Sequence, residues 1–143
     1  MRPERVAATL REWVAVTGSP WAVALVDGVE VSAYADGSTE GAEAGDAAPL
    51  ELVMPPPPGL EPFVVTPDTG EVSGPLGALE GAAESVRALA AAVGAPAVVL
   101  AALPTIDGTP LAISAREGEP LVMTIGDDQY EMSPAWPPPL DAV

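Results

Sequence analysis

WAVALVDGVEVSAYADG, residues 21–37, decides the fold class. Residues 21–26 form an apolar run. Residues 29–35 then alternate, with Val29, Val31 and Ala33 against Glu30, Ser32 and Tyr34. Asp27-Gly28 lies between them, and both residue types tolerate the positive φ of a type I′ turn. The stretch reads as a β-hairpin with one face buried and one face wet.

Working outward, residues 4–17 read as an amphipathic helix. Val6, Leu10, Trp13, Val14 and Thr17 recur near one face. Pro3 suits the first turn, Glu4 suits the positive end of the helix dipole, and Gly18 before Pro20 ends the helix. Residues 36–49, DGSTEGAEAGDAAP, are small and acidic and read as a mobile loop, with disorder expected over 36–48. Residues 50–54 and 63–66 read as short strands, and 71–73 as a returning one. The prolines at 55–58 read as a stiff connector between them. A second helix is expected over 75–93, ending at Gly94. Strands are expected at 97–103, 111–115, 121–125 and 130–132, with turns at Asp107-Gly108, Glu117-Gly118 and residues 126–128. Residues 133–143, SPAWPPPLDAV, form a Pro-rich tail without periodicity, where disorder is again expected.

The two helices, each with its adjoining hairpin, align at an offset of 76. Arg11 lies over Arg87, Gly18 over Gly94, Pro20 over Pro96 and Val23 over Val99. The two Asp-Gly turns align once four residues are added to the second hairpin, and 52–54 matches 121–123. The chain therefore reads as one α+β domain over 1–132, with αβββ(β) units at 3–73 and 74–132. Its expected form is an antiparallel sheet with two helices on one face.

Composition excludes several functions. The chain has 143 residues, a formal charge of −16, and neither His nor Cys. No Lys occurs either, and the bases are five Arg. There is accordingly no Ser-His-Asp triad, no thiol nucleophile, no Cys-ligated metal and no Schiff-base or P-loop lysine. Five scattered Arg make no phosphate footprint, so nucleic acid is not an expected partner. No apolar run reaches the ~20 residues of a membrane span, and the N-terminus lacks a signal-peptide core. A cytoplasmic, non-enzymatic domain without a cofactor is expected.

Candidate sites are few. Asp127, Asp128 and Glu131 form the densest carboxylate group near a strand end, and oxygen ligands of this kind can hold a divalent cation. The 36–49 loop offers Glu40, Glu43 and Asp46 to a basic partner. The aromatics Trp13, Trp21, Tyr34, Tyr130 and Trp136 either fill the core or, where exposed, anchor a partner, with Trp13, Tyr34 and Trp136 taken as the candidate anchors.

The order helix, hairpin, strand, helix, strands resembles the small acidic type III secretion chaperones and their YbjN-like relatives. The resemblance rests on 6–17, WAVALVDGVEVSAYADG at 21–37, LELVMPPPPGL at 50–60, AVVLAAL at 97–103 and PLAISA at 110–115. It implies a dimeric, non-enzymatic domain that binds another polypeptide. Segment 61–73 and the lack of a C-terminal helix depart from that pattern. The two helix–hairpin units are also similar to a roadblock-like dimer domain. The function expected is thus chaperone- or adaptor-like binding of a basic protein partner. The alternatives are an inhibitor, immunity or nucleic-acid-mimic protein, and a small-molecule or cation-binding accessory domain.

Overall fold

A computed structural model of the chain describes residues 3–26, 28–52, 59–66, 71–73, 78–94, 98–116 and 121–132. The elements are α1 (Pro3–Thr17), β1 (Trp21–Val26), β2 (Val29–Tyr34), β3 (Thr39–Glu40), β4 (Val64–Thr66), β5 (Glu71–Ser73), α2 (Ala78–Val93), β6 (Val98–Ala102), β7 (Leu111–Arg116), β8 (Leu121–Ile125) and β9 (Asp128–Met132). Seven strands form one antiparallel sheet in the order β3-β2-β1-β6-β7-β8-β9, and β4 pairs with β5 apart from it. The α+β class and the two helices packed on one face of this sheet are as the sequence leads one to expect.

Both helices stop by the same device. Gly18 (φ +76°) donates its N–H to Val14 O at 2.9 Å, and Gly94 (φ +90°) donates to Ala90 O at 3.0 Å. Glycine enters this left-handed region without the Cβ clash that other residues suffer. α1 lies over β1 and β2, and α2 lies over β6 and β7. Beneath α1 the sheet presents Ala22, Ala24, Val31 and Ala33, all fully buried, and the helix lowers Leu10 and Trp13 toward them. α2 brings Ala82, Ala83, Val86, Leu89 and Ala90, all buried, toward a sheet surface that includes Val99 and Ile113. Under α1, large side chains face small ones, as close packing requires. Between the helices, Trp13 Nε1 donates to Ser85 Oγ at 2.6 Å, with both residues buried. An indole N–H inside a core needs such a partner.

The helix alignment at 76 persists to the capping glycines, but the strands depart from it. The buried pairs Ala22–Ala33 and Ala24–Val31 have their counterparts in Val99–Ala115 and Ala101–Ile113. That is an offset of 77 in the first strand. At 76, Val23 would match Val99, but Val23 is half-buried on the other face. A one-residue shift exchanges the faces of a strand, so burial overrules the letter match. The second connection is also longer than the Asp-Gly alignment supposes. Seven positions separate Ala24 from Val31, whereas twelve separate Ala101 from Ile113. Asp107-Gly108 therefore sits within a wide loop and not in a tight hairpin turn. Asp27, of the first turn, and the Glu117-Gly118 turn lie outside the described residues.

The segment 36–48 is not a loose loop. Its residues Thr39–Glu40 add an edge strand to β2. Arg5 donates to Ala48 O and Pro49 O at 3.1 and 3.3 Å, Arg11 donates to Gly45 O, and Thr9 Oγ1 accepts from Leu50 N at 2.7 Å. Ala44 is buried in the core cluster. The segment is thus a strap across α1, and residues 50–52 belong to it and not to the strand expected at 50–54. Leu52, matched above with Leu121 of β8, has no strand partner. Residues 53–58, the start of the second helix at 75–77 and the tail at 133–143 lie outside the described residues.

Gly41 opens the strap. Its φ is +82°, and a Cβ there would overlap the Glu30 carbonyl oxygen of β2. Gly41→Ala is expected to destabilise the fold by roughly 1–3 kcal/mol. In hydrogen exchange the loss should be concentrated at β3. An unchanged urea midpoint would contradict this close approach.

Candidate functional site

Because both helices cover one face of the sheet, the residues of opposite parity compose a second face. The register aligns Ser32, Val23, Leu100, Ser114 and Val122 in one row across five strands. A neighbouring row holds Glu30, Leu25, Val98 and Arg116. Leu25 is 45% exposed, and Val23, Val98, Leu100 and Val122 are half-buried. On a sheet wetted by solvent these positions would ordinarily alternate to polar residues. Here the centre of the two rows is aliphatic, with Glu30 at one edge and Arg116 at the other. Glu40 of β3 lies opposite Ser32, and its Oε2 accepts the Tyr34 hydroxyl at 3.1 Å.

One end of this face deepens into a cleft of about 500 Å³. Its floor includes Trp21, Leu100, Ala102, Ala112 and Thr124, and one wall is the loop 103–110. That wall is tied down by backbone bonds. Leu103 N donates to Leu111 O at 2.8 Å, Phe63 N to Pro104 O at 2.9 Å, Ile106 N to Phe63 O at 2.9 Å and Gly126 N to Pro110 O at 2.9 Å. Thr105 Oγ1 donates to Thr109 O at 2.8 Å. Phe63 itself is fully buried beside the loop. Below the opposite wall, buried Ser19 has its hydroxyl in reach of the Trp21 and Ala102 carbonyls, which joins the start of β1 to the end of β6.

Comparison with family models, with curated proteins and with solved structures finds no match to this chain.

The residues singled out from the sequence fall in separate places. Trp13 is 1% exposed and hydrogen-bonded within the core, so it is no surface anchor. Tyr34 and Glu40 adjoin on the sheet face opposite the helices. Glu43 and Asp46 are exposed on the strap, in a shallow hollow beside the N-terminus of α1 that Glu4 and Arg5 also line. They do not continue the Tyr34–Glu40 patch. Trp136 lies outside the described residues. Asp128 and Glu131 take register positions of opposite parity on β9. Asp128 stands opposite Ile125, a helix-side position, and Glu131 stands opposite Val122 in the row of the other face. Among the described residues no cluster of three or more potential metal ligands occurs. No helix among them is long and apolar enough to cross a membrane.

Trp21 is among the aromatics that the sequence marks, but the 103–110 loop is not, and nothing in the sequence joins the two. The continuous apolar run at 21–26 hides which face each residue takes. Only the pairing with Ala33 and Val31 discloses it.

Two exposed aspartates at this end of the sheet are held in the charged form. The Ser38 hydroxyl, with the Ser38 amide, keeps Asp36 below the usual aspartate range. The Thr109 hydroxyl, with its amide 3.0 Å from Oδ1, does the same for Asp107. A carboxylate whose pKa falls on folding contributes stability above its unfolded value and loses it as pH drops through the folded value. In carboxyl-detected NMR titration, Asp36 and Asp107 are expected to protonate at lower pH than aspartates of the unfolded chain. Full solvent exposure keeps the effect on stability small.

Proposed function

We propose that this chain is a non-enzymatic binding domain, adaptor- or chaperone-like, which takes a basic polypeptide on the sheet face opposite its helices. The observation that carries this reading is two neighbouring rows, Val23, Leu100 and Val122 in one and Leu25 and Val98 in the other, an aliphatic surface with Glu30 and Glu40 at one edge and Arg116 at the other. Contiguous apolar surface rimmed by polar residues is what partner-binding faces present. The net charge of −16 draws positively charged chains toward it and repels acidic ones. Apolar contact then supplies affinity, and charge supplies encounter rate and selectivity.

The test is co-purification from native lysate with the intact chain and with Leu25→Arg. A basic polypeptide should be retained by the intact chain at low salt. Its association should weaken as the Debye length shrinks from ~10 Å at 0.1 M salt to ~3 Å at 1 M. Leu25→Arg should abolish retention while shifting stability by no more than about 0.5 kcal/mol, as exposed sites do. Retention of acidic polypeptides, or retention indifferent to Leu25, would count against the proposal.

A further inference from the structure

The cleft beside Trp21 differs from the rest of the sheet face opposite the helices in depth and in rigidity. A space of about 500 Å³ lies within the range of small-molecule sites. Its wall is formed in advance, because the 103–110 backbone spends its hydrogen bonds on Phe63, Leu111 and Gly126. Pro104 and Pro110 carry no N–H, and their carbonyls are already bonded. The interior therefore offers a ligand apolar surface and one indole ring, with few polar groups to satisfy.

The turns at this end of the sheet carry charge of one sign, although no carboxylate is itself part of the lining. Asp107 precedes Gly108, which lines the cleft, and Asp127 follows Gly126, which also lines it. The turn carrying Asp36 is joined to the lining residue Pro20 through Ala35 N and Pro20 O, 3.1 Å apart. All three carboxylates are exposed. The described cations are placed elsewhere. Arg5 and Arg11 hold the strap, Arg87 lies on α2, and Arg116 is at the far end of β7 from Leu111. No cation of the described chain lines the cleft.

We infer that the cleft binds a small organic cation, an aromatic or branched aliphatic group bearing an ammonium or quaternary nitrogen. The apolar part fills the floor against Trp21. The positive charge sits at the mouth, toward Asp36, Asp107 and Asp127. This inference stands apart from the polypeptide-binding proposal, which rests on the Leu25 row.

The test is a 1H–15N NMR titration of the full chain with three probes of similar shape: phenethyltrimethylammonium, 2-phenylethanol and 3-phenylpropionate. The cation should bind about tenfold more tightly than the alcohol, with the anion weakest. Shifts should centre on the Trp21 indole N–H and the amides of Thr109 and Gly126. Trp21→Ala should weaken the cation about tenfold or more. Asp36→Asn, Asp107→Asn and Asp127→Asn combined should erase the cation's advantage and leave the alcohol unchanged, which a misfolded variant would not do. Equal binding of the three probes, shifts elsewhere, or no saturation at millimolar probe would overturn the inference. So would binding of acetyl-Arg-Leu-Arg-amide at these amides without binding of phenethyltrimethylammonium, which would assign the cleft to a polypeptide.

Discussion

Trp13→Ala is expected to destabilise the protein by about 3–5 kcal/mol. Small domains are stable by only ~5–15 kcal/mol in all, so this loss takes a large share. Two effects combine. The first is a cavity in the core beneath α1, because Trp13 is among the largest fully buried side chains. The sheet residues Ala22, Ala24 and Ala33 have no rotamers with which to refill it. The second is the hydroxyl of Ser85, which loses the indole N–H at 2.6 Å and lies at 0% exposure. A buried polar group stripped of its partner costs ~1–3 kcal/mol. Urea denaturation of Trp13→Ala, Trp13→Phe, Ser85→Ala and the Trp13→Phe/Ser85→Ala pair separates the two. Trp13→Phe keeps most of the volume and should be partly rescued by Ser85→Ala. Additive effects in the double mutant would show that the hydrogen bond contributes nothing measurable.

Phe63→Ala is expected to cost a similar amount, about 3–5 kcal/mol, for a different structural reason. Phe63 is fully buried but belongs to no helix and to no strand of the large sheet. It is the plug by which the long connection 59–66 reaches from the end of α1 to the 103–110 loop. At its near end, Gly59 N and Leu60 N donate to Val16 O and Thr17 O. At its far end, the Phe63 backbone pairs with Pro104 and Ile106. Loss of the ring should release the loop, so exchange at the Ile106 amide should rise together with the fall in urea midpoint. If Ile106 stays as protected as in the parent, the ring does not hold the wall of the cleft.

The legible and illegible parts of the fold divide by sequence distance. α1, α2 and the first hairpin rest on signals within about one helical turn or one tight turn: Pro3, the apolar stripe, Gly18, Gly94 and alternation at 29–33. The strap reads as a loose loop because its ordering groups are distant. Arg5 and Arg11 reach carbonyls 34–44 positions away, and a single Ala44 is buried. No composition rule sees that in GAEAGDAAP. Trp13 is legible as a core residue, since it sits on the same helical stripe as Leu10 and Thr17. Trp21 is not, because its face depends on register. The cleft joins 20–21, 100–112 and 124–126, three stretches with no local mark in common. The acids at 127, 128 and 131 are close in the sequence, and strand alternation separates 128 from 131.

The ladder between β1 and β6 pairs the first strand of each half antiparallel, with Ala22 opposite Ala101 and Ala24 opposite Val99. At the offset of 77, Ala22 corresponds to Val99 and Ala24 to Ala101, so exchanging the halves returns the same two pairs. A two-fold axis normal to the sheet passes through that seam. Such a contact is self-complementary in the manner of an isologous interface, here enclosed within a single chain. Each half consequently shields the one strand edge on the other that would most readily pair with its own copy. The outermost strands of the described sheet are a two-residue strand ending in Glu40 and a strand that begins with Asp128.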